Sequence, residues 1–103
     1  MQAQKEILHE VKRAVLQVDP AAEIYFFGSR ARGDFHNESD WDFLVLTSFP
    51  ADLQYKRMFW QSVYPLELKY LTSIAIIVYP KNEWDDYEVT SLYKDIRRDA
   101  FKV

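Results

Sequence analysis

The run WDFLVLT, from Trp41 to Thr47, is apolar up to its closing threonine except for Asp42. It reads as a strand buried on both faces, because a strand with one wet side would alternate polar and apolar residues. Such a strand demands a layered arrangement around it, and the flanking sequence supplies the layers. Upstream, EIYFF (Glu23 to Phe27) is β-branched and aromatic and stops at Gly28, where a residue without Cβ permits a tight turn. Downstream, LTSIAIIVY (Leu71 to Tyr79) reads as a third strand closed by Pro80 and Asn82. Helical periodicity appears three times. Ala3, Ile7, Leu8, Val11, Ala14, Val15 and Val18 share one face of a helix over 2–18 that Asp19 and Pro20 end. Leu53, Met58, Phe59, Val63 and Leu66 mark a second helix, with Pro65 expected to kink or break it. A charged last helix over Glu88 to Ala100 is built around Leu92, Ile96 and Ala100. The order helix, strand, strand, helix, strand, helix predicts an α/β fold. It is a small mixed sheet of about three strands with helices packed on it, whose helical crossover joins parallel strands in the right-handed sense.

Composition removes several classes of function. At 103 residues the sequence is read as a single domain over 1–103. Thirteen basic residues against sixteen acidic ones leave a net charge of −3, which gives no field for holding duplex nucleic acid by counterion release. The chain has no cysteine, so disulfides, thiolate metal sites and cysteine nucleophiles are excluded. His9 and His36 lack the spacing of a zinc pair. No apolar leader and no run of about 18 apolar residues is present, so a cytoplasmic protein without a membrane segment is expected.

Both glycines of the chain, Gly28 and Gly33, fall in one stretch, GSRARGDFHNESDWDFLV. A glycine directly after a buried strand lets backbone N–H groups approach a ligand, and Ser29 adds a hydroxyl; together they suit a phosphate. Taken alone, Gly28-Ser29 is equally a plain strand-ending turn. Asp40 and Asp42 lie two apart on a strand and therefore on one face. Two carboxylates side by side repel, and a divalent cation relieves that cost; hard oxygen ligands suit Mg²⁺ or Mn²⁺. The alternative is that Asp40 caps the strand entrance while Asp42 pairs with an arginine. Arg30 and Arg32 stand between the two features, and a guanidinium is suited to bidentate phosphate contact. Arg32 could instead pair with Asp34 or Glu38 on the surface.

The compound pattern GSx10DxD, formed by Gly28, Ser29, Asp40 and Asp42 at the end of one strand and on the next, resembles the nucleotidyltransferase fold of the polymerase β superfamily. Within it, the wording GSRARGD...SDWDFLV is similar to the minimal nucleotidyltransferases (MNT), and the closing SLYKDIRRDAFKV resembles the helix and short strand that end many of them. The resemblance implies a nucleotide-binding turn at Gly28, Ser29, Arg30 and Arg32, with Asp40 and Asp42 as catalytic, metal-binding carboxylates. It implies Mg²⁺ or Mn²⁺ as cofactor and ATP or another nucleoside triphosphate as substrate. The acceptor implied is a hydroxyl on a partner protein, since minimal members often act as antitoxins beside a HEPN toxin. The resemblance also calls for a third carboxylate on the strand at 71–79, where Ser73, Ala75 and Ile77 are the residues facing inward and none is acidic. Glu67 and the run Glu83, Asp85, Asp86 flank that strand as substitutes. A non-catalytic nucleotide- or partner-binding module of the same fold is the competing reading. An aminoglycoside-type transferase is disfavoured, because such enzymes need a further domain for the acceptor. Surplus aromatics, Trp60, Tyr64, Trp84 and Tyr87 among them, suggest a partner or self-association patch and leave a homo-oligomer possible.

Overall fold

The computed structural model describes residues 2–36, 38–50 and 52–103, with the side chains of Gln2 and Ala3 left out, so Ala3's place on the apolar helix face lies outside the described residues. The elements are α1 (Gln2–Val18), β1 (Glu23–Phe27), α2 (Ser29–Arg32), β2 (Trp41–Thr47), α3 (Leu53–Tyr70), β3 (Ile74–Pro80), a 3₁₀ stretch (Lys81–Tyr87), α4 (Ser91–Asp99) and β4 (Phe101–Lys102). The sheet has four strands in the order β3-β2-β1-β4. β1 runs antiparallel to both β2 and β4, whereas β2 and β3 are parallel across the α3 crossover. The fourth strand is two residues long, too short for any periodic signal of its own.

Alternation along the strands divides the protein into two faces. Trp41, Phe43 and Val45 of β2, with Ile74, Ile76 and Val78 of β3, turn to α1 and α3 and form the main core with Val11, Val15, Phe59 and Val63. Leu44 and Leu46 turn the other way and pack with Trp84, Tyr93 and Ile96 from the 3₁₀ stretch and α4. β2 is thus buried on both faces, as its composition requires.

Three boundaries differ from the sequence reading. α3 runs through Pro65 without ending there, because Phe59 and Val63 before it and Leu66 and Tyr70 after it all pack on the same core. Leu71 takes a left-handed conformation (φ 51°) as the C-cap of α3, its N–H donating to the Glu67 carbonyl, so β3 starts at Ile74 rather than at Leu71. α4 starts at Ser91, after the Thr90 hydroxyl accepts a hydrogen bond from the Tyr93 N–H; residues 81–87 coil as 3₁₀ instead. A buried carboxylate fixes the far end of the sheet: Asp19 accepts hydrogen bonds from the Ser48 N–H and hydroxyl, both at 2.8 Å, and from the Ala21 N–H at 3.0 Å. No described helix is long and apolar enough to cross a membrane.

Candidate active site

Phe27 of β1 and Ala75 of β3 are the register neighbours of Asp42 on β2. Gly28, the next residue after Phe27, therefore turns directly against the Asp42 side chain. Its φ of +84° is one that L side chains rarely adopt, and a Cβ built there would collide with Asp42 Oδ2 and sit 3.1 Å from Cγ. The glycine is required twice over, by conformation and by contact. α2 leaves this turn as a single short helix and ends at Gly33, whose N–H returns to the Ser29 carbonyl at 2.9 Å. Gly33 also has a positive φ, yet nothing lies near its missing Cβ, so its role is conformational only.

The carboxylate pair carries an electrostatic cost. Burial, and after it the neighbouring Asp40 charge, push the Asp42 carboxyl above the usual carboxylate range, while Arg32 pulls it back. Arg32 thus faces Asp42, and it is also held by Asp34 at 3.3 Å and by Asp99 of α4 at 3.8 Å. Arg30 is placed differently. Its Nε donates to the Ser39 carbonyl at 2.9 Å, and its guanidinium lies 4.4 Å from the Trp41 ring and 4.8 Å from the Phe35 ring. Those contacts tie the loop before β2 to the residue between the two aspartates. Trp41 itself points into the main core, as alternation requires.

β2 begins at Trp41, so Asp40 stands one residue before the strand and is exposed, whereas the spacing predicts both aspartates on it; its charge still acts on Asp42. Two hard carboxylates this near each other fit a divalent ion whose remaining positions come from phosphate oxygens and water. Among the described residues no group of three or more His, Asp or Glu converges. Ala75 and Ser73 share the Asp42 side of β3, since Ile74, Ile76 and Val78 fill the opposite core. None of Glu67, Glu83, Asp85 and Asp86 forms a three-carboxylate group with Asp40 and Asp42. Glu67 rides on α3, across the sheet from the aspartates, and Asp85 accepts a hydrogen bond from the Tyr93 hydroxyl at 2.8 Å, above Leu44 and Leu46. Asp99 is a site neighbour that sequence reasoning missed; 57 residues separate it from Asp42, and nothing in α4's own pattern signals the approach.

The sequence model of the family described as nucleotidyltransferase domain matches residues 5–101. A candidate protein adenylyltransferase of Methanocaldococcus jannaschii is 35% identical over 78 residues, covering 74% of this chain and 79% of that protein. Two solved structures share the fold, each over 91% of this chain and 69% of the other. One is a toxin-antitoxin crystal structure with AMP-PNP (TM-score 0.66, 18% identity). The other is a toxin-antitoxin MntA-HpeT mutant with two aspartate-to-glutamate replacements (TM-score 0.65, 16% identity).

Proposed function

The chain belongs to the nucleotidyltransferase domain family, and from that premise we propose that it transfers a nucleoside monophosphate, AMP from ATP, to a hydroxyl on a partner protein. The observation that carries this reading is the contact of Gly28 with Asp42: the turn suited to phosphate and the carboxylates suited to a cation meet at one point. In this reading Asp40 and Asp42 hold Mg²⁺ or Mn²⁺, the backbone at Gly28 and Ser29 receives the phosphates, Arg32 offsets their charge, and Arg30 keeps the intervening loop in place. A divalent ion held by Asp40 and Asp42 would offset triphosphate charge and supply Lewis-acid chemistry at the phosphate. The acceptor oxygen then bonds to the α-phosphorus as the bond to the pyrophosphate leaving group breaks, and the acceptor's proton passes to a base. The candidate adenylyltransferase relative supports AMP and a protein acceptor. The toxin-antitoxin neighbours support a toxin as that acceptor, of HEPN type on the sequence resemblance.

A second reading has its own observation. Ala75 stands beside Asp42 where a third carboxylate is called for, so the chain can bind nucleotide while lacking a strong base for the acceptor hydroxyl. One experiment separates the two. Calorimetry should show ATP binding that needs Mg²⁺ and is lost in the Asp40→Asn, Asp42→Asn double variant, and labelled ATP should mark a co-expressed partner toxin. Binding without labelling selects the non-catalytic module, and unchanged affinity in the double variant rejects the site.

A further inference from the structure

α3 carries a second stripe that the core does not use. Phe59, Val63, Leu66 and Tyr70 pack inward, whereas Leu53, Arg57, Trp60, Tyr64, Glu67 and the cap residue Leu71 follow one another at steps of four, three, four, three and four. Those steps put the six on one side of the helix, with the 3.5-residue period of a helix that pairs with another helix. The apolar members stand in solvent: Trp60 is 42% exposed, Tyr64 58% and Leu71 90%. We infer that this stripe is the interface with a second copy of the chain, the two α3 helices lying antiparallel about a two-fold axis level with Ser62.

The order of the charges carries the inference. In that arrangement Leu53 meets the second copy's Leu71, Arg57 meets its Glu67 and Trp60 meets its Tyr64. Each pair then occurs twice, as a self-complementary interface requires. Among the described residues neither Arg57 nor Glu67 forms an ion pair, so both charges are open to the second copy. A parallel pair in register would set Arg57 on Arg57 and Glu67 on Glu67, and those like charges select against it. The basic start of the stripe complements its own acidic end, which is why a second copy fits it. Trp60 is also held ready. Its Nε1 donates to the Ile76 carbonyl at 3.1 Å, on the outer edge of the sheet's end strand, so little side-chain freedom is left to lose on pairing. A shallow groove lined by Trp60, Gln61, Tyr64 and Pro65 gives the second copy's Tyr64 ring a seat. α3 lies across the sheet from Asp42, so pairing leaves both carboxylate faces open and does not depend on the proposed nucleotide site.

Sedimentation of the full chain tests the inference, with Arg57→Glu, Glu67→Arg and the double exchange, all outside the core and the carboxylate site. The wild-type chain should dimerise at about 100 μM, as suits a small interface. Each single reversal replaces attraction by repulsion at both ends and should raise the dissociation constant about tenfold or more. The double exchange should return it to within about threefold of wild type. A second reading needs no variant. Trp41 and Trp84 are buried, so acrylamide quenching reports on Trp60, and it should fall as the wild-type concentration rises through the dissociation constant. A wild-type chain that stays monomeric overturns the inference, and so does a dimer whose Trp60 quenching is unchanged or whose affinity ignores both single reversals. A monomeric wild-type chain whose Arg57→Glu variant no longer binds the partner toxin overturns it too, and gives the face to that toxin.

Discussion

Asp42 is held in a place that costs stability. Its carboxyl is pushed up first by burial and then by Asp40, so the folded state favours the protonated form. A group whose folded pKa is raised contributes stability that is fully present below its ordinary value near 3.8 and is lost as pH rises through the folded value. At neutral pH, therefore, the charged Asp42 weakens the fold, and Asp42→Asn should strengthen it. Discounted for solvent screening at a half-buried position, the gain is about 0.5–1 kcal/mol. Urea melts should show that gain near pH 7 and its disappearance as pH falls well below 3.8, where the wild-type carboxyl is protonated in both states. A variant less stable than wild type at neutral pH would mean that Asp42 is held by favourable partners. The same residue explains which glycine matters most. Gly28 abuts Asp42 and Gly33 abuts nothing, a distinction that two glycines in one loop do not reveal from sequence.

At the scale of elements, what was legible depended on periodicity. β1 and β2 were readable residue by residue because their apolar runs end at Gly28 and at Ser48-Phe49-Pro50, and β2's single acid stood out against a buried background. β3 was read three residues too early, because Leu71 is apolar yet serves as an exposed left-handed cap. Pro65 reads as a kink or break because its missing N–H is visible in sequence, and of the two the break is excluded by the core that holds α3 together on either side, which sequence does not show. Spacing predicts that Asp40 and Asp42 act on each other, and the Asp40 charge does reach Asp42 although β2 begins only at Trp41; the partner Arg32 finds on α4 and the rings Arg30 covers depend on tertiary placement. Parallel pairing of β2 with β3 sets Ala75 beside Asp42 and Ser73 one step back, its carbonyl accepting the Trp41 N–H at 2.9 Å. Ala75→Asp should consequently raise AMP transfer to a partner toxin by about tenfold or more, within the range that a positioned acid or base supplies, and Ser73→Asp should raise it less. A larger gain at Ser73 would show that the acceptor hydroxyl approaches nearer Asp40.

The whole molecule separates the work of holding the sheet from the work proposed for the site. α1 and α3 cover one face with the larger core, while the other face carries Asp42 and the smaller cluster under α4. The two faces share the strands but not the side chains, so damage to the helical face should lower stability without altering what the opposite face binds. Val63 of α3 is 1% exposed and packs in the main core; Val63→Ala removes two methyl groups and leaves a small void there. The expected cost is about 2 kcal/mol, read as a lower urea midpoint with an unchanged slope. The affinity of the folded fraction for Mg-ATP should stay within about twofold of wild type, since sites with no shared partners behave almost additively. An affinity that falls in step with stability would show instead that β2 transmits strain from Phe43 and Val45 on one side to Asp42 and Leu44 on the other. The helical face would then be part of the site's support, and the strand shared by both faces would be the element that sets the geometry of the carboxylates.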